Sequence, residues 1–139
     1  MIRKLLVLLL YVGGIAQSLA VVAIFFPYSW MERIHGWMLE EQISDTTIFS
    51  YLTRSLSMLY VAWGVVYLYI VTDVDHYLRF LLFLARLKIV LGFSLLILDV
   101  VAGMPLPWTL LEGPGIMIFS SVLVVLVRKR IAELKHSEG

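Results

Sequence analysis

The sequence contains no cysteine among its 139 residues. That absence excludes disulfides, thiol redox chemistry and metal sites built on thiolates. Charged residues are also scarce, at 15% of the chain, and the formal net charge is only +1. Nucleic acid is therefore not expected as a partner, because binding to it depends on a strong local excess of basic residues.

The short motifs of familiar catalytic sites are absent as well. The chain has no glycine-rich phosphate loop, no His-x-x-x-His pair and no Gly-x-Ser-x-Gly nucleophile elbow. We therefore expect no metal ion and no cofactor, and the sequence favours a protein that is not an enzyme.

Hydrophobic residues, in contrast, make up 61% of the chain, and the mean hydropathy is +0.94. A soluble domain is nearer 45–50% apolar. Four runs are each long enough to cross the hydrocarbon core, which needs about 20 helical residues. They cover residues 5–26, 48–71, 77–102 and 107–127. The sequence thus predicts an all-α integral membrane protein, a four-helix bundle in a single domain.

The longest connection, residues 27–47, carries helical signals of its own. Ser29 and Glu32 have the spacing of a capping box. Apolar residues recur behind them at helical spacing: Trp30, Met31, Ile34, Trp37 and Met38. We expect a short amphipathic helix over residues 30–39 at the membrane surface, with its tryptophans at headgroup level. Asp45, Thr46 and Thr47 then offer N-caps for the second span. Residues 128–139 are expected to form a polar tail of frayed helix.

Basic residues are concentrated on one side of the predicted membrane. Nine of the eleven fall at the N-terminus, around the turn between the second and third spans, or in the tail: Arg3, Lys4, Arg79, Arg86, Lys88, Arg128, Lys129, Arg130 and Lys135. Because cytoplasmic segments carry the excess of Lys and Arg, both termini are predicted to lie in the cytoplasm.

Three ionisable residues lie inside the predicted spans at one depth. Arg54 is about 9 Å below the outer end of the second span, and Asp99 and Glu112 are at similar distances from the outer ends of the third and fourth. A guanidinium in hydrocarbon costs roughly 2.5–3.5 kcal/mol at the bilayer centre, so a carboxylate partner is expected. We expect four further residues to line the opening of the bundle beside these charges: Ser57, Tyr51, Trp108 and His35.

Two interpretations of this cluster are open. In one, Arg54 pairs with Asp99 or Glu112 and fixes helix register, as buried ion pairs often do. In the other, the cluster binds a polar ligand or a headgroup, or carries protons. Two carboxylates against one guanidinium leave one in surplus, and Glu112, beside a Gly-Pro-Gly break, is the candidate for it. His35 is expected first of all to be a surface residue of the interfacial helix.

The motifs around these charges resemble those of a known family. They are Tyr51-Leu52-Thr53-Arg54-Ser55-Leu56-Ser57, Asp99-Val100-Val101-Ala102-Gly103-Met104-Pro105, Trp108-Thr109 and Glu112-Gly113-Pro114. They are similar to motifs of a family of small bacterial membrane proteins with four spans, for which no activity is established. The layout also loosely resembles that of DoxX-like four-helix proteins. The resemblance implies a multi-pass protein of the bacterial inner membrane.

Three functional hypotheses follow from these features. The first is a non-enzymatic accessory, assembly or scaffold subunit with a partner membrane protein or a second copy of itself. The second is a protein that binds lipid or isoprenoid, or an enzyme acting on one through a membrane-embedded carboxylate. The third is a proton or ion pathway, which would need more polar groups in the inner half than Tyr11, Tyr67 and Lys88 provide.

Single cysteines test the predicted topology, because the chain has none of its own. Ser44→Cys and Leu106→Cys should react with a membrane-impermeant thiol reagent added to intact spheroplasts, since both positions are predicted to face outward. Ser137→Cys should remain unlabelled until the membrane is permeabilised. Labelling of Ser137→Cys from outside would show that the orientation deduced from the charges is inverted.

Overall fold

The computed structural model describes residues 1–39 and 46–137, apart from the side chains of residues 35, 37–39 and 137. Within these ranges the chain is helical and contains no β-strand. Four helical segments are long and apolar enough to cross a membrane: Ile2–Ile24, Thr47–Thr72, Leu78–Ala102 and Leu106–His136. The predicted class, all-α with four helices that can span a membrane, is confirmed.

Two of the four segments consist of two helices each. The helices in chain order are α1 (Ile2–Ser18), α2 (Ala20–Ile24), α3 (Tyr28–Leu39), α4 (Thr47–Thr72), α5 (Leu78–Ala102), α6 (Leu106–Leu111) and α7 (Gly113–Ser137). Leu19, between α1 and α2, keeps right-handed helical backbone angles, so the first segment continues through it. Between α6 and α7 the helix breaks at Glu112, because Pro114 has no N–H to donate to the preceding turn.

Internal contacts divide the chain into two units. The first unit comprises Met1–Leu8 and Asp73–Gly139, and the second comprises Leu9–Thr72. The first unit therefore contains α5, α6, α7 and the start of α1, and the second contains the rest of α1 with α2, α3 and α4. The association of all four spans in one bundle stays a prediction.

In the first unit, α5 packs against α7 at two glycines. A Cβ atom added at Gly92 would lie 2.8 Å from the carbonyl oxygen of Gly113, and one added at Gly113 would lie 2.7 Å from that of Gly92. Gly92 also faces Met117, and Gly113 faces Leu96, so the two helices run antiparallel. Small residues at such a crossing let the two backbones approach each other, which is how helices associate in lipid.

The buried side of α5, which meets α7, carries residues that recur at a spacing of seven. Ala85, Gly92 and Asp99 lie seven residues apart, and all three are buried. At the opposite end from Asp99, fully buried apolar side chains come from α1, the turn before α5, α5 itself and α7: Leu6, Val74, Leu81, Leu123 and Val127. The core of the first unit is therefore densest at the end where its chain segments converge.

The second unit has an equivalent crossing between α1 and α4. A Cβ atom added at Gly64 would lie 2.7 Å from the carbonyl oxygen of Gly14 and would also meet the hydroxyl of Ser18. Beyond this point α2 packs along α4. Each unit thus contains a place where only glycine permits the observed helix separation.

Two helix ends follow directly from local sequence. Thr46 is the N-cap of α4, as predicted, because its Oγ1 accepts the N–H of Phe49 at 3.1 Å. At the C-terminus of α5, Gly103 has a φ of 70°, in the left-handed region that glycine tolerates. The N–H groups of Gly103 and Met104 donate to the carbonyls of Val100 and Asp99, which completes a Schellman motif.

Two local expectations differ from the structure. α3 begins at Tyr28, so Ser29 lies inside the first turn and is not the predicted N-cap. Pro27 takes the position before the helix, and its carbonyl accepts the N–H groups of Trp30 and Met31. The tail also differs, since α7 continues as regular helix through residue 137. An ion pair of Arg130, described below, holds that part of the helix.

The glycine crossing in the first unit should tolerate no added methyl group. Gly92→Ala forces Cβ onto the backbone of the facing helix, and overpacking of this kind costs about 1–3 kcal/mol. Gly115→Ala is the matched control, because nothing lies within 4 Å of a Cβ added there. Thermal unfolding in detergent should show a lower midpoint for Gly92→Ala and an unchanged or higher one for Gly115→Ala. Equal midpoints would contradict the backbone contact.

Candidate functional site

The residues of the predicted cluster divide between the two units. The second unit contains Arg54, Ser57, Tyr51 and His35, of which the side chain of His35 lies outside the described residues. The first unit contains Asp99, Trp108 and Glu112. The structure therefore places two of the three charges in one unit, and their pairing with Arg54 stays a prediction.

Arg54 lies on α4, seven residues or about 10 Å after its first residue, Thr47. Its side chain is exposed, although the predicted cluster requires it to face the other spans. Ser57 and Gly64 of the same helix are buried, and Arg54 lies about 60° around the helix from Ser57. Within the second unit, no described carboxylate forms an ion pair with Arg54. The guanidinium is thus presented on the outer surface of an apolar helix of this unit.

The hydroxyl groups near Arg54 donate to their own helix. Ser57 Oγ donates to the carbonyl of Thr53 at 2.9 Å, and Thr53 Oγ1 donates to that of Phe49 at 2.9 Å. Tyr51 is exposed. These bonds satisfy the hydroxyl protons without involving the guanidinium, so Ser57 contributes to helix packing in this unit.

Asp99 is the buried carboxylate of the first unit. Its side chain is only 7% exposed, and its Oδ2 has no hydrogen-bond partner among the described residues of that unit. Because it shares a face with Gly92, which contacts α7, its side chain is directed towards the fourth span. A buried polar atom without a partner typically costs about 1–3 kcal/mol. Such an atom in a native structure points to a functional role or to a missing partner.

Glu112 is held at the break between α6 and α7. The indole N–H of Trp108 donates to Glu112 Oε2 at 2.6 Å. A hydrogen bond this short to a carboxylate is typical of a charge-assisted bond, which is stronger than one between neutral groups. The side chain of Glu112 is partly exposed, so its carboxylate is fixed in direction and still accessible.

Thr109, which was not among the predicted site residues, belongs to the same region. It is 7% exposed, and its Oγ1 lies 3.4 Å from the carbonyl oxygen of Met104 and 3.3 Å from that of Pro105. The hydroxyl therefore ties the first turn of α6 to the loop that ends α5. A threonine in a first helical turn is common, so its identity alone gave no signal.

No group of three or more His, Asp or Glu side chains that could hold a metal ion occurs in the described part of the chain. The sequence does contain Glu-x-x-His twice, at Glu32–His35 and Glu133–His136. In helical di-metal proteins this motif is repeated with further glutamates that face it across the bundle.

A second charged cluster, also missed, lies at the other end of the first unit. Arg130 donates two parallel hydrogen bonds to Asp75, from Nε to Oδ1 at 2.8 Å and from Nη2 to Oδ2 at 3.0 Å. Arg3 Nε donates to the same Oδ2 at 3.2 Å. Arg130 Nη1 also donates to Glu133 at 3.2 Å. This Asp75 cluster joins α1, the turn before α5 and α7.

The Asp75 cluster changes the acidity of its carboxylate. The hydrogen bond from Arg130, together with the positive charges of Arg130 and Arg3, holds the pKa of Asp75 below its usual value of 3.8, against an opposing effect of partial burial. The aspartate is therefore ionised throughout the physiological range. Its position in a five-residue turn gave no hint of these partners, which lie 72 and 55 residues away.

Taken together, the four long apolar helices and their glycine crossings define a multi-pass helical membrane protein. Comparisons with models of protein families, with curated proteins and with solved structures found no significant match to this chain.

Asp75 should make the stability of the protein depend on pH. A carboxylate whose pKa is lowered by folding stabilises the fold above its unfolded pKa, and the effect is lost as pH falls through the lower folded value. Asp75→Asn should therefore unfold about 1 kcal/mol more easily at pH 7, with a difference that shrinks below pH 3.8. Asp73→Asn is the control, because the Asp73 side chain accepts the N–H of His76 and asparagine can do the same. A constant difference between wild type and Asp75→Asn down to the lowest pH would contradict the ion pair.

Proposed function

We propose that this chain is a non-enzymatic accessory or scaffold subunit of the bacterial inner membrane, with both termini in the cytoplasm. The excess of basic residues around the termini and the turn after α4 supports this orientation. The resemblance to small bacterial four-span proteins supports the compartment. The partner in this proposal is another membrane protein or a second copy of the chain.

The observation that carries the proposal is the exposed guanidinium of Arg54 on an apolar helix. An arginine in that environment needs a counter-charge, and the second unit supplies none among its described residues. In an accessory subunit, a carboxylate of the partner provides it. Removing one member of such a buried pair typically costs about 3–5 kcal/mol, so this single residue can determine whether a complex forms.

The short connections of the first unit support a role in binding over one in catalysis. Between α4 and α5 the chain has a five-residue turn, and only three residues separate α5 from α6. Segments of this length leave little room for a site outside the membrane. The helices instead expose many large apolar side chains, which in a membrane are covered by lipid or by another protein.

Binding of a lipid or an isoprenoid is the second candidate, and one specific observation favours it. Glu112 is oriented by Trp108 at a helix break, and Asp99 of the same unit has an unpartnered oxygen. A fixed carboxylate beside an indole suits the polar headgroup of a lipid, and the tail of that lipid would lie along the apolar helices. In this alternative, a lipid phosphate is the counter-charge of Arg54 in the second unit.

The test is to purify the wild type, Arg54→Gln and Arg86→Gln in mild detergent from the native membrane, and to quantify co-purifying protein and lipid by mass spectrometry. Arg86 is the matched control, because it is an exposed arginine on a different span. The accessory role predicts one protein at near-stoichiometric amount, at least tenfold depleted with Arg54→Gln and retained with Arg86→Gln.

Each other outcome contradicts that role. Selective loss of one lipid with Arg54→Gln would favour the second candidate. No loss of either, combined with a double-mutant cycle in which Arg54→Ala and Asp99→Ala destabilise less together than in sum, would assign Arg54 to a structural pair within the chain. Glu112→Gln completes the comparison, since it removes the charge and keeps the shape.

A further inference from the structure

The end of the first unit that contains the Asp75 cluster also carries basic side chains without a counter-charge. These exposed residues form no ion pair with a described residue of the unit: Lys4, Arg79, Arg128 and Lys129. They come from α1, from the first turn of α5 and from α7, and the Asp75 cluster joins these same three segments. We call these four side chains the basic end.

The acidic residues nearby in the fold are already engaged. Asp75 binds Arg3 and Arg130, and Glu133 binds Arg130. Asp73 accepts the backbone N–H of His76 within the turn. The described carboxylates at this end are therefore committed to the fold, and the positive charge of the basic end is left for an external anion.

The depth of the basic end along its helices, and the apolar side chains next to it, determine which kind of anion fits. Arg128 lies 22 residues after the start of α6 at Leu106, about 33 Å of helix, which matches the hydrocarbon thickness of about 30 Å. It therefore lies at the level of the headgroups. Val122 and Val125 precede it on α7 and are exposed. Lys129 is seven and four residues from these valines, so charge and apolar surface share one face of the helix.

We propose that the basic end binds the headgroup of an anionic phospholipid, with Arg128 and Lys129 as its central contacts and the exposed valines against the acyl chain. An acidic soluble protein would meet the charges but not the apolar surface beneath them. Basic residues next to a membrane-spanning helix attract anionic lipid in this way. The proposal does not depend on the accessory role.

Adjacent residues on α7 allow a sharp test. Arg128→Gln/Lys129→Gln removes the proposed contacts, whereas Arg130→Gln removes the structural ion pair next to them. Native mass spectrometry of the purified chain, in detergent containing equal phosphatidylglycerol and phosphatidylcholine, measures the preference for bound lipid. The wild type should prefer phosphatidylglycerol, and the double variant should lose roughly tenfold or more of that preference.

The Arg130 variant and the double variant should separate an effect on the unfolding midpoint from an effect on lipid selectivity. Arg130→Gln should lower the unfolding midpoint and keep the preference for phosphatidylglycerol. The double variant should keep its unfolding midpoint in phosphatidylcholine and lose the preference for phosphatidylglycerol. The wild type should also lose this preference in 1 M salt, where the Debye length is about 3 Å. Arg79→Gln should lower the preference partially, and it provides a second reading if the double variant folds poorly.

Several results would overturn the proposal. One is a preference for phosphatidylglycerol that is unchanged in both the double variant and Arg79→Gln. Another is that glycerol 3-phosphate, at the same concentration as phosphatidylglycerol, binds as well as the lipid and displaces it. That result would assign the surface to a free phosphate. A third is equal retention of the two lipids by the wild type, which would leave an acidic protein as the ligand.

Discussion

Helix association within a membrane must come from close packing, because the surrounding lipid is as apolar as the side chains themselves. In the first unit this condition is met at Gly92 and Gly113, where either backbone would be displaced by a single methyl group. Two carboxylates of the unit, Asp99 and Glu112, lie next to that contact. Glu112 directly precedes Gly113, and Asp99 follows Gly92 by seven residues on the same face. The position of these two carboxylates thus depends on two residues that carry no side chain.

The two ends of the first unit differ in how their charged side chains are partnered. At one end, Asp75 lies between two arginines and every bond has an ordinary length, so the charges hold three chain segments together. At the other end no basic residue lies between Lys88 and Arg128. There Glu112 accepts the indole N–H of Trp108, and Asp99 Oδ2 has no hydrogen-bond partner among the described residues. The partly exposed and fully bonded Asp75 cluster is a structural element, whereas the buried Asp99 oxygen without a described partner points to a functional role or a missing partner.

Much of the fold could be predicted because membrane helices are encoded locally. The apolar runs predicted the four membrane-length helices, and Gly113 with Pro114 predicted the helix break. The sequence did not reveal the Asp75 cluster, because its residues are far apart in the chain and each looks like an ordinary surface charge. It also misjudged Ser29, because Pro27 already provides a fixed backbone before α3 and lets the helix begin earlier.

Arg54 and Arg130 show why residue type alone did not locate the candidate site. Both are arginines on long apolar helices, yet Arg130 has two carboxylate partners in its unit and Arg54 has none described in its own. The ion pair of Arg130 with Asp75 is partly exposed, so a missing bond there would cost little. Arg54 lies about 10 Å inside its helix, where an unpaired guanidinium is disfavoured in proportion to its depth. A charge kept at such a position is stable only with a partner. The search for the function of this chain therefore begins with whatever supplies that partner.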